Sequence, residues 1–153
     1  VISLRTLLAR LRRHDKGTMA IETAFVAPVL VVMAVGGFEV SSMVARQTEL
    51  QSAMAEAAAV VRANQPDTAA KRQTLRDIIK ASTGLSDYQV GVTPVWRCGT
   101  QTNYQLYEGG CTNGQRTTRY IRIAISDAYQ PMWTQFGIGT AVSYNLERTI
   151  LIG

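Results

Sequence analysis

The pattern of apolar and polar positions changes twice along this 153-residue chain. Residues 23–38 form an uncharged, mostly apolar run that is bounded by Glu22 and Glu39. Over residues 40–64, which contain neither Gly nor Pro, apolar side chains recur at steps of three and four, as they do along one face of a helix. Beyond Gly84 the period changes to two, which is typical of strands.

The first two patterns together predict one helix from about Thr18 to Asn64, roughly 70 Å long. Its first half, residues 18–39, would lie in a membrane. Its second half, residues 40–64, carries a stripe that we expect to pack against a globular head rather than to form a cofactor site. This stripe comprises Val40, Met43, Val44, Gln47, Leu50, Met54, Ala57, Ala58 and Val61.

A second helix is predicted at the start of the head, residues 65–153. Gln65-Pro66 ends the first helix, Asp67 or Thr68 can cap the second, and Gly84 ends it. The predicted apolar side of this second helix consists of Ala69, Leu75, Ile78, Ile79 and Ser82.

Three alternating segments predict strands: residues 88–96, 121–125 and 142–152. Pro94 indicates that the first of these is an edge strand. In the second strand, Tyr120 and Arg122 would face away from the apolar row. Helices followed by alternating strands predict an α+β fold with a small antiparallel sheet packed on a helix, an architecture that pilin-like proteins share with many other small domains.

The formal net charge of +5 is concentrated at the N-terminus. Residues 1–17 have a net charge of +4, and the rest of the chain has a net charge of +1. Because no run of cations in the body could follow a phosphate backbone, the distribution argues against a nucleic-acid partner.

The apolar run alone fits several kinds of membrane or export segment. Residues 23–38 would cover roughly 24 Å as a helix, short of the ~30 Å hydrocarbon core. Extension back to Thr18 makes the helix long enough to span, but the span then includes Glu22. An acidic residue at the centre of a membrane helix costs about 2.5–3.5 kcal/mol of insertion free energy, which the large apolar side chains of the run can outweigh. An ordinary secretory signal peptide, with a small-residue site at residues 34–36, is one alternative, and a simple single-span anchor is another. The signal peptide does not explain Glu22 or Pro28.

The segment Lys16-Gly17-Thr18-Met19-Ala20-Ile21-Glu22 resembles a type IV prepilin processing site. Its continuation, GTMAIETAFVAPVLVVMAVGGFEV, is similar to the N-terminal segment of TadE-like proteins, the minor pilins or pseudopilins of tight-adherence (Tad) pilus systems. The matching positions are Ala20-Ile21-Glu22, Ala24, Ala27-Pro28 and Gly36-Gly37-Phe38-Glu39, while Thr23 stands where the family often has Phe.

This resemblance implies how the N-terminal region is used. A membrane peptidase would cleave after Gly17, so that Thr18 becomes the new N-terminus and residues 1–17 are a leader. Glu22 would then be the fifth-position carboxylate, which can pair with the free α-amino group of a neighbouring subunit and set axial register. The expected membrane helix includes Phe25, Pro28, Leu30 and Phe38.

The resemblance also implies partners and a location. The partners would be a prepilin peptidase, companion TadF-like minor pilins, the inner-membrane pilus platform, the major pilin and membrane lipid. The protein would be single-pass in the bacterial cytoplasmic membrane, with its N-terminus cytoplasmic and its head outside the cytoplasm.

Two cysteines lie in the head, Cys98 and Cys111, and Asn113-Gly114 predicts a tight turn just after them. In an exported head the cysteines most simply form one disulfide. In a reducing compartment they would be two thiols.

The sequence offers little that predicts an enzyme. The single histidine, His14, lies in the basic segment, so the head lacks a closed four-ligand zinc site and the common Ser/His and Cys/His arrangements. Its carboxylates are scattered singly, as at Asp87, Glu108, Asp127 and Glu147. We therefore expect neither catalysis nor a cofactor.

A weakly charged aromatic loop is predicted between the last two strands. It contains Tyr129, Met132, Trp133 and Phe136, which could cap the sheet edge or form a contact surface for a partner pilin. The leading hypothesis is a structural or assembly component of a Tad pilus. The alternatives are a membrane- or signal-anchored extracytoplasmic binding module that uses such loops, and a pseudopilin of a type II secretion system.

Overall fold

The structure, a computed structural model, describes residues 15–111 and 114–152. Side chains are described from Met19 onward, so Gly17 and Thr18 are described by their backbone. Residues 1–14, with His14 and most of the predicted leader, and Asn113 of the predicted turn lie outside the described residues.

Two helices and a small curled antiparallel sheet make up the described chain, which confirms the predicted α+β class. Helix α1 is Asp15–Asn64 and helix α2 is Ala69–Thr83. The strands are β1 (Val90–Cys98), β2 (Tyr104–Gln105), β3 (Thr117–Tyr129) and β4 (Val142–Leu151), in the spatial order β2-β1-β3-β4. The two-residue strand β2 was not predicted, because so short a segment has no readable period.

The caps of α2 confirm the predicted ends of this helix. The Thr68 hydroxyl accepts a hydrogen bond from the Lys71 N–H at 3.3 Å. Gly84 has φ +71°, in the left-handed region, and its N–H donates to the Lys80 carbonyl at 2.8 Å. The predicted apolar side was partly wrong, since Leu75 and Ile79 are buried but Ile78 is exposed.

The chain divides into two compact units, Val1–Ser42 and Met43–Gly153. The second unit contains a hydrophobic core between α1, α2 and one face of the sheet. The buried core residues include Leu50, Met54, Ala57, Ala58 and Val61 of α1, Leu75 and Ile79 of α2, and Ile121, Ile123, Ile125 and Ile150 of the sheet. The predicted α1 stripe is therefore correct from Leu50 onward, but Val40 and Val44 are exposed.

The first strand differs from its prediction in two details. Tyr88 belongs to a one-turn helix, Asp87–Gln89, and is exposed, so the strand starts two residues later, at Val90. β1 is an inner strand by order, but β2 pairs with it at Trp96 and Arg97 alone. The stretch of β1 around Pro94 thus has an open side, which is where a residue without an N–H is tolerated.

Arg46 joins α1 to the end of α2 and to β3. Its Nε donates to Asp127 Oδ2 at 2.7 Å, and its Nη1 donates to the Thr83 carbonyl and to Glu49 Oε2, both at 3.0 Å. Gln89 donates to the other Asp127 oxygen at 3.1 Å. Burial alone would lower the pKa of Arg46, but the hydrogen bonds that Arg46 donates to Asp127 and Glu49 outweigh this effect and raise the pKa.

Replacement of Asp127 should destabilise the second unit. In Asp127→Ala, the half-buried guanidinium of Arg46 loses its shortest partner, and we expect the free energy of unfolding to fall by about 2 kcal/mol. Asp77→Ala removes an exposed carboxylate, 3.4 Å from Lys80, and should cost less than about 0.5 kcal/mol. Denaturant unfolding of the full chain in detergent, followed by near-UV circular dichroism, measures both. Equal effects of the two substitutions would contradict the assigned role of Asp127.

Candidate membrane-anchor and assembly site

The first unit presents apolar side chains all round its helix. By length and composition, the described helix from Met19 can cross a membrane, and its apolar window is unburied. The large apolar side chains exposed there are Met19, Ile21, Phe25, Val26, Val29, Leu30, Val31, Val32, Met33, Val35 and Phe38. An apolar surface of this extent is typical of a helix that is surrounded by lipid or packed against other helices, so α1 is a candidate membrane anchor.

Glu22 lies within this apolar surface. Its side chain is exposed, and no cation among the described residues forms an ion pair with it. A shallow depression of about 310 Å³ adjoins the carboxylate, lined also by Met19, Thr23, Val26, Ala27 and Leu30. A carboxylate beside an apolar depression offers a place for a cation supplied from outside this helix.

Gly17 and Thr18 precede Glu22 on the same helix. The backbone of both residues is helical, and the bond between them lies near the N-terminal end of the described part of α1. Since Glu22 is four residues beyond Thr18, the two positions are about one helical turn apart. The Gly17–Thr18 bond, the predicted cleavage site, and the Glu22 carboxylate, predicted to act after cleavage, are therefore close together along the helix.

Pro28 is accommodated inside α1. Proline has no N–H for the carbonyl four residues earlier, that of Ala24, so one helical hydrogen bond is missing at this point. Phe25, Leu30 and Phe38, which were predicted for the membrane helix, are all exposed on its surface.

The head contains the predicted disulfide between Cys98 and Cys111. Cys98 is the last residue of β1 and is buried, and the bridge closes the loop that carries β2. Gly99 N–H donates to the Arg116 carbonyl at 2.9 Å, so the same loop is also tied to the segment before β3.

The aromatic loop combines an inward and an outward part. Tyr129 is half-buried against the core, and the Trp133 indole lies over Gly139, where an added Cβ would be 3.4 Å from the indole nitrogen. Phe136, in the one-turn helix Met132–Phe136, is 79% exposed, and Met132 is also exposed. The inward part of the loop covers the core, while Phe136 and Met132 are exposed to solvent, and the predicted contact with a partner pilin stays a prediction.

One cluster of side chains was not picked out from the sequence. Tyr104 of β2 and Tyr120 of β3 meet on the outer face of the sheet, together with Arg97 and Arg122. Alternation had placed Tyr120 and Arg122 on that face, but the contact depends on β2, which had no sequence signal. Among residues 19–111 and 114–152, no group of three or more His, Cys, Asp or Glu side chains could hold a metal ion.

Comparison with known proteins gives a match to a protein-family model. Residues 17–59 match the family model described as TadE-like protein. The matched segment begins at Gly17 and covers the apolar helix and part of its amphipathic continuation, and it supports a TadE-like component of a Tad pilus. No curated protein and no solved structure matches the chain.

Removal of the disulfide should destabilise the head. The two cysteines are 13 residues apart in sequence. For Cys98→Ala/Cys111→Ala we expect a loss of about 3 kcal/mol in the free energy of unfolding, because the unfolded chain gains the freedom of an open loop. Unfolding of the wild type and the variant with and without reductant measures this. Reductant should affect the wild type alone, and a wild type that is insensitive to reductant would contradict a stabilising bridge.

Proposed function

We propose that this chain, a TadE-like component of a Tad pilus by its match over residues 17–59, is a minor pilin or pseudopilin that is processed by a prepilin peptidase and acts in pilus initiation or priming. The observation that carries the proposal is that the match begins at Gly17, the residue after which cleavage is proposed, and continues through an apolar helix without internal cover. A structural role of this kind needs no catalytic site in the chain.

The proposed topology follows from charge and chemistry. The N-terminal basic segment would remain in the cytoplasm, because Lys and Arg near a membrane span favour the cytoplasmic side. The head would then lie outside the cytoplasm. The disulfide supports this location, because disulfides persist in oxidising compartments.

Glu22 would act after cleavage. The new α-amino group of one subunit would pair with the Glu22 carboxylate of its neighbour, in the apolar depression beside Met19 and Val26. In an apolar environment an unpaired charge carries a large desolvation cost. Any axial register in which the α-amino group and the Glu22 carboxylate do not pair is therefore disfavoured. The exposed carboxylate without an ion pair from the described residues supports this arrangement.

Each proposed partner is assigned to a feature of one of the two units. The peptidase would act at Gly17, and lipid or the helices of companion TadF-like pilins and the major pilin would cover the apolar helix. The inner-membrane platform would receive the processed protein. Phe136 and Met132 of the aromatic loop would contact a partner pilin, since exposed aromatic and Met side chains are enriched at interfaces.

The N-terminus of the membrane-associated protein tests the processing step. Mass spectrometry should find a mature chain that begins at Thr18 in cells with the prepilin peptidase, and a longer chain in cells without it. Gly17→Leu should leave the precursor uncut in both strains, since a bulky residue replaces the proposed last leader residue. A start near Gly37 would indicate an ordinary signal peptide, and an uncut chain in both strains would indicate a simple anchor.

Glu22→Ala tests the assembly step separately. This variant should insert and be cleaved, because the apolar run is intact, but its co-isolation with the platform and companion pilins should fall at least about tenfold. Glu56→Ala, which removes an exposed carboxylate from the same helix within the second unit, should leave co-isolation unchanged. Cleaved Glu22→Ala protein that is recruited as well as the wild type would overturn the pairing role.

A further inference from the structure

The end of the head that carries the disulfide is basic. Residues 97–122 contain four arginines and one acidic residue, a net charge of +3, although the chain beyond residue 17 is almost neutral. This segment comprises the end of β1, the disulfide loop with β2 and the first half of β3. The positive charge of the head is therefore concentrated in one region.

Two tyrosines hold two of these arginines on the outer face of the sheet. The rings of Tyr104 and Tyr120 are edge-to-face, with centroids 5.3 Å apart. The guanidinium of Arg97 lies over Tyr120, 5.2 Å from the ring centroid, and that of Arg122 lies over Tyr104 at 5.7 Å. Such cation–π contacts fix the direction of a guanidinium that would otherwise be mobile.

The two arginines differ in their counter-ions. Arg122 Nε lies 3.1 Å from Glu147 Oε1. Arg97 forms no ion pair with any carboxylate of the described residues, although the Nε atoms of both arginines are buried without a hydrogen-bond partner. Arg97 therefore lacks a counter-ion among these residues, and a guanidinium is best satisfied by a carboxylate that accepts two of its hydrogens.

The cluster is also anchored. Cys98 follows Arg97 directly and is bridged to Cys111, and Tyr104 stands opposite Arg97 in the pairing of β1 with β2. Val95, on the same face and opposite Tyr120, is fully buried, and Tyr120 itself is buried, so this part of the outer face is packed. A ligand would meet a site that loses little conformational freedom on binding.

We propose that the Arg97–Tyr120–Tyr104–Arg122 cluster is a docking site for an acidic segment of a partner protein, with a carboxylate of that segment bound by Arg97. The positive charge of the cluster requires an anionic ligand. The side chains around the cluster favour a protein as the source of that anion. Tyr and Arg are the residues enriched at binding hot spots, and Leu106 and Tyr107, which follow β2, are both exposed beside it in sequence. The site does not involve Gly17 or Glu22, so it stands or fails independently of the processing and assembly steps.

Nuclear magnetic resonance of the full chain in zwitterionic micelles tests this site. A hexaglutamate peptide is titrated at low salt, and the side-chain Nε–H signal of Arg97 is observed. We expect this signal to shift on binding and the shift to decrease with added salt. In Arg97→Gln the affinity for the peptide should fall about tenfold or more, since a charge-assisted hydrogen-bonded pair is lost.

Arg148→Gln is the matched control. It removes the same charge from β4, at a position paired with Ile123 and therefore on the other face of the sheet, and it should change the affinity less than twofold. Equal weakening by both substitutions, or an Arg97 signal that does not move, would overturn the site. If a uronic-acid oligosaccharide or anionic lipid vesicles bound at Arg97 more tightly than the hexaglutamate peptide, the assignment of a protein as the partner would be overturned.

Discussion

The head depends on the guanidinium of Arg46, because this one group joins three elements at the end where α1 enters the second unit. It donates to Asp127 of β3, to the last carbonyl of α2 at Thr83, and to Glu49 of its own helix. Gln89 holds the remaining Asp127 oxygen, which brings in the start of β1. Lysine could not replace this group, since a planar guanidinium donates in several fixed directions whereas an ammonium is a point charge. The apolar core packs between the same elements that this network joins.

The opposite end of the head is held by a different kind of bond. The disulfide between Cys98 and Cys111 closes the loop of β2, and β2 in turn brings Tyr104 against Tyr120. A two-residue strand has too few hydrogen bonds to persist alone, so the covalent link has a structural consequence beyond its own loop. Between the polar network at one end and the bridge at the other, the Ile121, Ile123 and Ile125 row belongs to the apolar core.

The two units of the chain differ in where they place their apolar side chains. The second unit buries its apolar residues against one another, whereas the first exposes them along a helix that can cross a membrane. The apolar surface of the first unit is therefore available to lipid or to other helices, which makes this helix a candidate membrane anchor. A candidate anchor of this kind agrees with the match of residues 17–59 to the TadE-like family model. Glu22 is an exposed carboxylate within that apolar surface.

Local chemistry was readable from the sequence alone. The ends of α2 follow from Thr68 and Gly84, and the inward row of β3 follows from its alternation. The motifs between Gly17 and Glu39 carry the resemblance to TadE-like proteins. Each of these signals depends on residues that are close together in the chain. Tertiary structure decided which faces are covered: Ile78 and Val44 carry the right period but lie beyond the packed layer. It also decided the Arg46–Asp127 pair and the stacking of Arg97 on Tyr120, whose partners are far apart in sequence. Periodicity specifies the direction of a side chain, whereas its partner depends on strand register and helix packing, which only the folded chain defines.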